Sequence, residues 1–452
     1  MKIVISGDGK VGYAMTEFLA KEGHNVTVID RDRRLVGEIA NRFDVLGTVG
    51  NGASIETQRE ADVPRCDFFI SVTGDDETNI LSCILARSLG AKNTVARVRD
   101  PQYYAQAEYM AENLGINMIV NPELEAAYEI ERIIRFPAAL KVQHFSKKKM
   151  ELVELKISAG QPFVGMKLSD FRGKEGYGVI VCAVQRGDEV IIPGGDFVIE
   201  SGDKIHITAS HDELLKLFRV LGLTNKKINT VMIIGGGKVS YYLAKRLGRL
   251  GISVKIIEAD ESKCDYLASE LPKAHIICGD GTDSELLYEE NIDRMDACVA
   301  LTGNDEENIL VSLFAATRDV DKTITKVNRM SFIGMLPKIN YDGSIVSPVY
   351  ATASHILAFV RATENARGCA LNTLYKIIDN KAEVMEFTAK ESFRGIGKPL
   401  KDLKLKNNLI VAGILRENDM ILPDGDTDIE VGDCVVVVTT NEAMNDLNDI
   451  LA

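Results

Sequence analysis

The chain is written twice. Residues 3–9 read IVISGDG and residues 231–237 read VMIIGGG. Gly7 maps onto Gly235, and Asp30, which ends VTVID, maps onto Glu258, which ends VKIIE, both at an offset of 228. SVTGDDETNIL from Ser71 matches ALTGNDEENIL from Ala300, and NPELEAAYEIERIIR from Asn121 matches SPVYATASHILAFVR from Ser347. VIVCAVQRGDEVIIPGGD from Val179 matches LIVAGILRENDMILPDGD from Leu409. Such self-similarity constrains the fold before any local pattern does. Length alone would suggest three domains at about 150 residues each. The repeat requires an even number. Within each copy the pattern changes once: residues 1–137 and 228–363 alternate apolar strand runs with helical segments, whereas 138–222 and 364–452 alternate short β-rich runs with turns. Strands alternating with helices build parallel sheets. The expected fold is therefore α/β, with two Rossmann-like parallel-sheet domains (1–137 and 228–363), each followed by a small α/β domain (138–222 and 364–452).

The first large unit opens with a strand running into GDGKVG, which places Gly7, Gly9 and Gly12 in the G-x-G-x-x-G pattern. An apolar-periodic helix follows, with Val11, Ala14, Met15, Phe18 and Leu19 on one face, and a second strand ends at Asp30. In this context the glycines have separate tasks: a tight turn, close approach of backbone to a pyrophosphate, and close helix–strand packing. The helix N-terminus offers free N–H groups to phosphate. Asp30 is placed to accept hydrogen bonds from ribose hydroxyls, and a carboxylate there repels a 2′-phosphate, favouring NAD(H) or an adenosine nucleotide over NADP. Arg31, Arg33 and Arg34 follow directly and weaken that preference, unless they form a solvated helix-start face. A Rossmann half retained only for packing is the competing reading.

Two further loops fall at strand ends, where open α/β sheets bind ligands. One is Val49-Gly50-Asn51-Gly52. The other is Val72 to Glu77, in which Thr73 and Gly74 leave room beside phosphates, while Asp75 and Asp76 serve either as helix caps or as ligand contacts. Strand alternation over Thr94–Val98 places Arg97 and Arg99 on one face, as a phosphate clamp or as partners in surface salt bridges. The second copy repeats Gly235, Gly237, Glu258, Asp280 and Thr302, but Ser240 stands where the third glycine belongs, and Lys326 and Arg329 do not reproduce the arginine alternation.

Function classes fall away on other grounds. Lys and Arg total 53 against 66 Asp and Glu, a formal charge of −13, which opposes non-specific nucleic-acid binding. No stretch has the 18 or so apolar residues a membrane span needs, and the N-terminus lacks the pattern of a signal peptide. The eight cysteines contain no CxxC pair and sit mostly in apolar contexts, as buried thiols do. The small units hold no His–carboxylate motif repeated between copies; His144, His206 and His211 lack counterparts. A dehydrogenase needs a catalytic acid or base near the nicotinamide. An NAD-dependent oxidoreductase with tandem Rossmann domains is thus the alternative, not the leading reading. The small units could instead bind a regulatory ligand or dimerise. The segment Asn121–Arg135, with Leu124, Ala127, Ile130 and Ile134 in an apolar stripe, is either a crossover helix reaching another lobe or a helix packed on its own sheet.

Together the doubled fingerprint, Gly279-Asp280-Gly281, TGDDETNIL, TGNDEENIL and ARVRDP (Ala96–Pro101) resemble the KTN (or RCK) family of gating-ring proteins found in bacterial and archaeal Trk potassium-uptake systems. The resemblance covers the whole chain. It implies a non-enzymatic regulatory subunit that is cytoplasmic and peripheral on the inner face of the membrane. Such a protein binds NAD(H) and ATP or ADP, assembles as a homo-oligomeric ring and gates a separate membrane potassium-translocating subunit. Its small domains correspond to regulator-of-conductance C-terminal domains. The implied nucleotide contacts are Gly7, Gly9, Gly12, Asp30, Thr73, Arg97 and Arg99, then Gly235, Gly237, Glu258, Asp280 and Thr302. Asp8, Lys10, Val11, Asn51, Gly74 and Val239 complete the candidate set. Asn51 departs from the GD pattern that Asp280 keeps.

Overall fold

The computed structural model describes residues 1–145, 149–173, 178–223, 227–336, 341–364, 368–378, 380–441 and 444–452. The first large lobe runs β1 (Lys2–Ser6), α1 (Lys10–Lys21), β2 (Asn25–Asp30), α2 (Arg33–Phe43), β3 (Leu46–Val49), α3 (Ile55–Glu60), β4 (Phe68–Ser71), α4 (Asp76–Leu89), β5 (Asn93–Arg97), α5 (Pro101–Tyr104), α6 (Ala107–Asn113), β6 (Met118–Val120) and α7 (Pro122–Arg135). Its strands pair in parallel in the order β3-β2-β1-β4-β5-β6. Ile3, Val4, Ile5, Phe68, Phe69 and Ile70 are all buried. Such unbroken apolar runs suit central strands covered on both faces. The order reverses between β1 and β4, which opens the ligand crevice of this topology.

The first small domain comprises β7 (Lys141–Phe145), β8 (Met150–Lys156), α8 (Leu168–Gly173), β9 (Val179–Arg186), β10 (Glu189–Ile191), β11 (Lys204–Ala209) and α9 (His211–Val220). Its antiparallel sheet has the order β10-β9-β11-β8-β7. The second large lobe follows: β12 (Thr230–Ile234), α10 (Lys238–Arg249), β13 (Ser253–Glu258), α11 (Glu261–Glu270), β14 (Ala274–Cys278), α12 (Ser284–Glu289), β15 (Ala297–Ala300), α13 (Asp305–Ala316), β16 (Lys322–Lys326), α14 (Met330–Met335), β17 (Ser344–Val346) and α15 (Pro348–Glu364). Its order, β14-β13-β12-β15-β16-β17, repeats the first lobe strand for strand. The last module, β18 (Ala370–Ile377), β19 (Ala382–Thr388), β20 (Leu409–Arg416), β21 (Asp419–Ile421) and β22 (Cys434–Thr439), repeats the small sheet.

Contacts group the chain into two compact units: Met1–Ala127 with Ser347–Val360, and Tyr128–Val346 with Arg361–Ala452. In the first, α15 supplies Phe359, whose ring stands edge-on to Phe68 of β4 at 5.5 Å, and Tyr350, 5.9 Å from Phe18. In the second, the C-terminal half of α7 receives Arg246 of α10, whose guanidinium lies 4.0 Å over Tyr128 and pairs with Glu131. The helix that follows each sheet therefore carries contacts to the other large lobe, in line with the crossover reading of Asn121–Arg135.

Within the second unit the small domains pack on each other. Phe145, Met150, Leu152 and Cys182 share one core with Ile377, Val384, Ala412 and Val436, and Thr208 Oγ1 donates to the Ala412 carbonyl at 2.6 Å. The alternative that small units dimerise is thus realised inside one chain. Gly202-Asp203 in the first small domain matches Gly432-Asp433 in the second, and the two aspartates share a structural task. Arg186 grips both oxygens of buried Asp203 at 2.8 Å, and Arg416 grips Asp433 at 3.1 and 3.0 Å. Both are two-pronged guanidinium–carboxylate pairs, which hold a planar geometry.

Candidate functional site

The crevice of the first lobe is a cavity of about 240 Å³ lined by Ser6, Gly7, Ile29, Asp30, Arg31, Gly50, Asn51, Gly52, Thr73, Gly74, Asp75 and Thr78. The glycines around it differ in why they are glycine. Gly7 has φ +97°, and a Cβ there would stand 2.6 Å from the Thr73 amide. At Gly12 a Cβ would lie 1.9 Å from the Gly7 carbonyl oxygen. Both are demanded by the fold. Gly9 is not: its backbone is extended (φ −68°, ψ −170°), and a Cβ would meet nothing within 4 Å. Gly237 in the second lobe is extended in the same way, and a Cβ on it, on Gly74 or on Gly303 would likewise meet nothing within 4 Å. Neither α1 nor α10 has a side-chain cap, since Gly9 and Gly237 occupy the capping positions. Their first-turn N–H groups are left for an anion.

Asp30 is held rigidly at the end of β2. Its Oδ2 accepts the Asp8 amide at 2.7 Å, and its Oδ1 accepts the Asp32 amide at 2.9 Å. Glu258 repeats this on Gly236 (2.6 Å) and Asp260 (3.0 Å). Asp8, the middle residue of the first fingerprint, is 4% exposed, and neither of its carboxylate oxygens has a hydrogen-bond partner among the described residues. Burial first, and the neighbouring Asp30 second, push its carboxyl up to about 7.

The TGDDETN segment divides its labour. Asp75 caps α4 through the Thr78 amide at 2.8 Å, and hydrogen bonding from the Thr78 hydroxyl first, and from its amide second, holds its carboxyl below the usual range. Asp76 accepts the backbone amides of Arg99 (2.9 Å) and Asp100 (2.7 Å), fastening the end of β5. Asp305 does the same for Asn328 and Arg329, both at 2.9 Å. Asn79 was not singled out by the sequence, and it organises the loop. Fully buried, it accepts from the Thr73 amide (2.9 Å) and hydroxyl (2.7 Å) and donates to the carbonyls of Thr73 (3.2 Å) and Arg97 (2.9 Å). Asn308 ties Thr302 to Lys326 in the same way. An Asn recurring four residues after the capping position in both copies was the available signal. Asn79→Ala strands the Thr73 amide and the Arg97 carbonyl, and is expected to lower stability by about 2 kcal/mol, read as a shift in denaturant midpoint.

Several candidates lie elsewhere than expected. β5 ends at Arg97, so alternation does not extend to Arg99. Neither arginine lines the cavity. Arg97 reaches the Val72 carbonyl (3.5 Å) and Glu123 (3.8 Å), and Arg99 reaches the Gly74 carbonyl and Asp76 (3.4 Å). Both brace the β4–α4 loop from behind. Val11 and Val239 are buried helix residues, and Lys10 is exposed at the start of α1. Asn51 supports the same kind of turn as Asp280: its Oδ1 accepts the Ala53 amide at 3.2 Å, while Asp280 accepts the Thr282 amide at 2.8 Å. The departure from the GD pattern therefore leaves the turn intact.

The second crevice is larger, about 410 Å³, and is lined by Gly235, Gly236, Gly237, Glu258, Lys263, Asp280, Gly281, Thr302, Gly303, Glu307 and Lys326, among others. Ser240 is fully buried, and its hydroxyl donates to the Gly235 carbonyl, so the missing third glycine is accommodated. Lys326 donates to the Leu301 carbonyl at 3.1 Å, in the manner of Arg97. Arg329 pairs instead with Glu306 at 2.6 and 2.8 Å.

Comparison with known proteins follows the same division. The TrkA-N domain matches residues 3–122 and 231–348, and the TrkA-C domain matches 152–222 and 384–452. A Trk system potassium uptake protein TrkA homolog of Archaeoglobus fulgidus is 33% identical over 452 residues, covering all of both chains. The Trk system potassium uptake protein TrkA of Vibrio alginolyticus is 31% identical over 449 residues, 98% of this chain and 96% of that one. Among solved structures, the GsuK channel superposes with a TM-score of 0.64 at 18% identity, covering 98% of this chain and 77% of that one. The GsuK channel bound to NAD gives 0.62 at 18% identity, with the same coverage. These relatives are transport-system proteins, which sets aside the oxidoreductase alternative: the chain is not an enzyme. With two TrkA-N and two TrkA-C domains in tandem and full-length likeness to such relatives, the chain belongs to the TrkA family of Trk potassium-uptake system proteins.

Proposed function

We propose that the chain is a nucleotide-sensing regulatory subunit that gates a membrane potassium-uptake transporter. One observation carries the nucleotide part. Gly9, Gly74, Gly237 and Gly303 are glycines that neither backbone nor packing requires; Gly74, Gly237 and Gly303 line the crevices that hold Asp30 or Glu258, and Gly9 follows Asp8, whose amide Asp30 accepts. A ligand whose phosphates approach the backbone accounts for them. NAD(H) and ATP or ADP are the ligands, with the carboxylates taking ribose hydroxyls and disfavouring a 2′-phosphate. Gly7, Gly9, Gly12, Asp30, Asn51, Thr73 and Gly74 form the first binding set. Gly235, Gly237, Glu258, Asp280 and Thr302 form the second. Arg97 and Arg99 act by positioning the loop that holds Thr73.

No helix among the described residues is long and apolar enough to cross a membrane, so a transport role has to be exercised on a partner. The names of the relatives support a potassium-uptake system of the Trk type as the source of that partner. In this reading the partner is its potassium-translocating subunit, and the chain forms a homo-oligomeric ring on the cytoplasmic face. Ligands then act by differential affinity for two ring states. Titration of the purified protein with NADH, NAD, ATP and ADP tests the sensor. Sub-millimolar binding is expected, and Gly9→Asp, which the open space tolerates sterically, should weaken NADH binding at least tenfold without changing the thermal midpoint. Absence of binding by all four nucleotides, or an unaltered Gly9→Asp titration, defeats the reading. Co-purification with a membrane potassium transporter tests the partner.

A further inference from the structure

Seven of the eight cysteines fit the expectation of buried or half-buried thiols; Cys278 does not, because it is exposed at the end of β14. It also has a neighbour. β13 and β14 run parallel with Glu258 opposite Cys278. The Glu258 carbonyl accepts the Gly279 amide at 2.9 Å and the Cys264 thiol of α11 at 3.2 Å. Two thiols 14 residues apart in sequence thus converge on the backbone of one residue, and that residue is the ribose-position carboxylate of the second crevice. Cys264 follows Lys263 and Cys278 stands two residues before Asp280, and both Lys263 and Asp280 line the cavity. Burial chiefly, and then the nearby Cys278 thiol, push the Cys264 thiol up to about 12, so it stays protonated while its neighbour meets solvent. The first lobe lacks the pair, with Val36 and Val49 in the corresponding places.

We propose that Cys264 and Cys278 are a reversible dithiol whose oxidation to a disulfide closes the second nucleotide site, an inference that rests on the nucleotide-binding reading above. A hydroperoxide is the oxidant. The Cys278 sulfur attacks the peroxide oxygen, the O–O bond breaks, and with hydrogen peroxide the products are a sulfenic acid and water. The Cys264 sulfur then attacks the Cys278 sulfur, the S–O bond breaks, and a second water leaves as the S–S bond forms. Two electrons from the two thiols reduce the peroxide, and a dithiol reductant reverses the change by exchange. A disulfide requires the sulfurs to close to about 2.05 Å. That pulls the first turn of α11 onto β14 across the Glu258 carbonyl, displacing Lys263 and the Asp280 turn on either side of the cavity.

The experiment uses the full chain, treated with hydrogen peroxide and mapped as peptides without reduction, alongside ADP and NADH titrations before and after treatment. The expected result is a Cys264–Cys278 peptide as the main disulfide, at least a tenfold loss of affinity at the second site with the first site unchanged, and recovery with dithiothreitol. Cys264→Ala and Cys278→Ser should each bind as the reduced protein does and ignore peroxide. The proposal is overturned if the linked peptide does not form, or if it forms and affinity is unchanged. A reduced protein with no second-site binding defeats closure and the nucleotide reading together, while the peptide map reports on the dithiol separately.

Discussion

Gly12→Val is expected to remove nucleotide binding from the first lobe and to lower stability by about 3 kcal/mol. The added Cβ would lie 1.9 Å from the Gly7 carbonyl oxygen and 3.6 Å from Val72 Cγ2. The obstacle is backbone, not the end of a flexible side chain, so the β1–α1 turn has to move. Moving it displaces Gly7 from Thr73 and reorients the free amides of α1. Overpacking of this kind costs about 1–3 kcal/mol in well-packed cores and more when the backbone is trapped. The second lobe supplies the control. Ser240 occupies the equivalent place and turns its hydroxyl onto the Gly235 carbonyl. Gly12→Ser should therefore be tolerated better than Gly12→Val, which offers bulk and no donor. Calorimetric titration of NADH and the denaturant midpoint of both variants check the ranking; equal effects would show that the Cβ the two share, and not the bulk or the hydroxyl beyond it, sets the cost.

Asp8→Asn is expected to stabilise the protein at pH 8 by about 2–4 kcal/mol and to do nothing at pH 3. The sign follows from the direction of the shift. An unfolded aspartate titrates near 3.9, whereas burial and Asp30 raise folded Asp8 to about 7. Between those values the folded state holds a proton that the unfolded state has released, so stability falls as pH rises through the window and levels off above it. Three units at about 1.4 kcal/mol each set the upper bound; an unpaired amide in the same place takes back part of the gain. Unfolding free energies from pH 3 to 8 measure it, and parallel curves for wild type and variant would show that Asp8 is not the titrating group. Gly236 replaces Asp8 in the second lobe, so the effect belongs to the first lobe alone.

The repeat and the first fingerprint were legible because they are local: strand, glycines, helix and carboxylate follow one another within some 30 residues. The capping task of Asp75 was legible for the same reason. What escaped depends on distance. Asn79 gains its importance from Arg97, on another strand. Alternation puts Arg97 and Arg99 on one face only where the strand continues, but Asp76 captures the backbone at Arg99 and ends the alternation. Val11 and Val239 lie inside the fingerprint yet point into the helix–sheet core. The apolar stripe of Asn121–Arg135 reads the same whichever sheet covers it, and Cys264 and Cys278 meet only through β-strand register.

The placement of α15 sets an order of assembly. The first unit contains Ser347–Val360, with Phe359 and Tyr350 set against Phe68 and Phe18. On the ribosome, the lobe that begins to be made first is therefore the one that waits, its apolar surface at Phe68 uncovered until synthesis has passed Val360. The second unit can gather most of its own residues in the meantime. A chain stopped between the two copies would lack that helix and leave Phe68 and Phe18 without the rings that meet them.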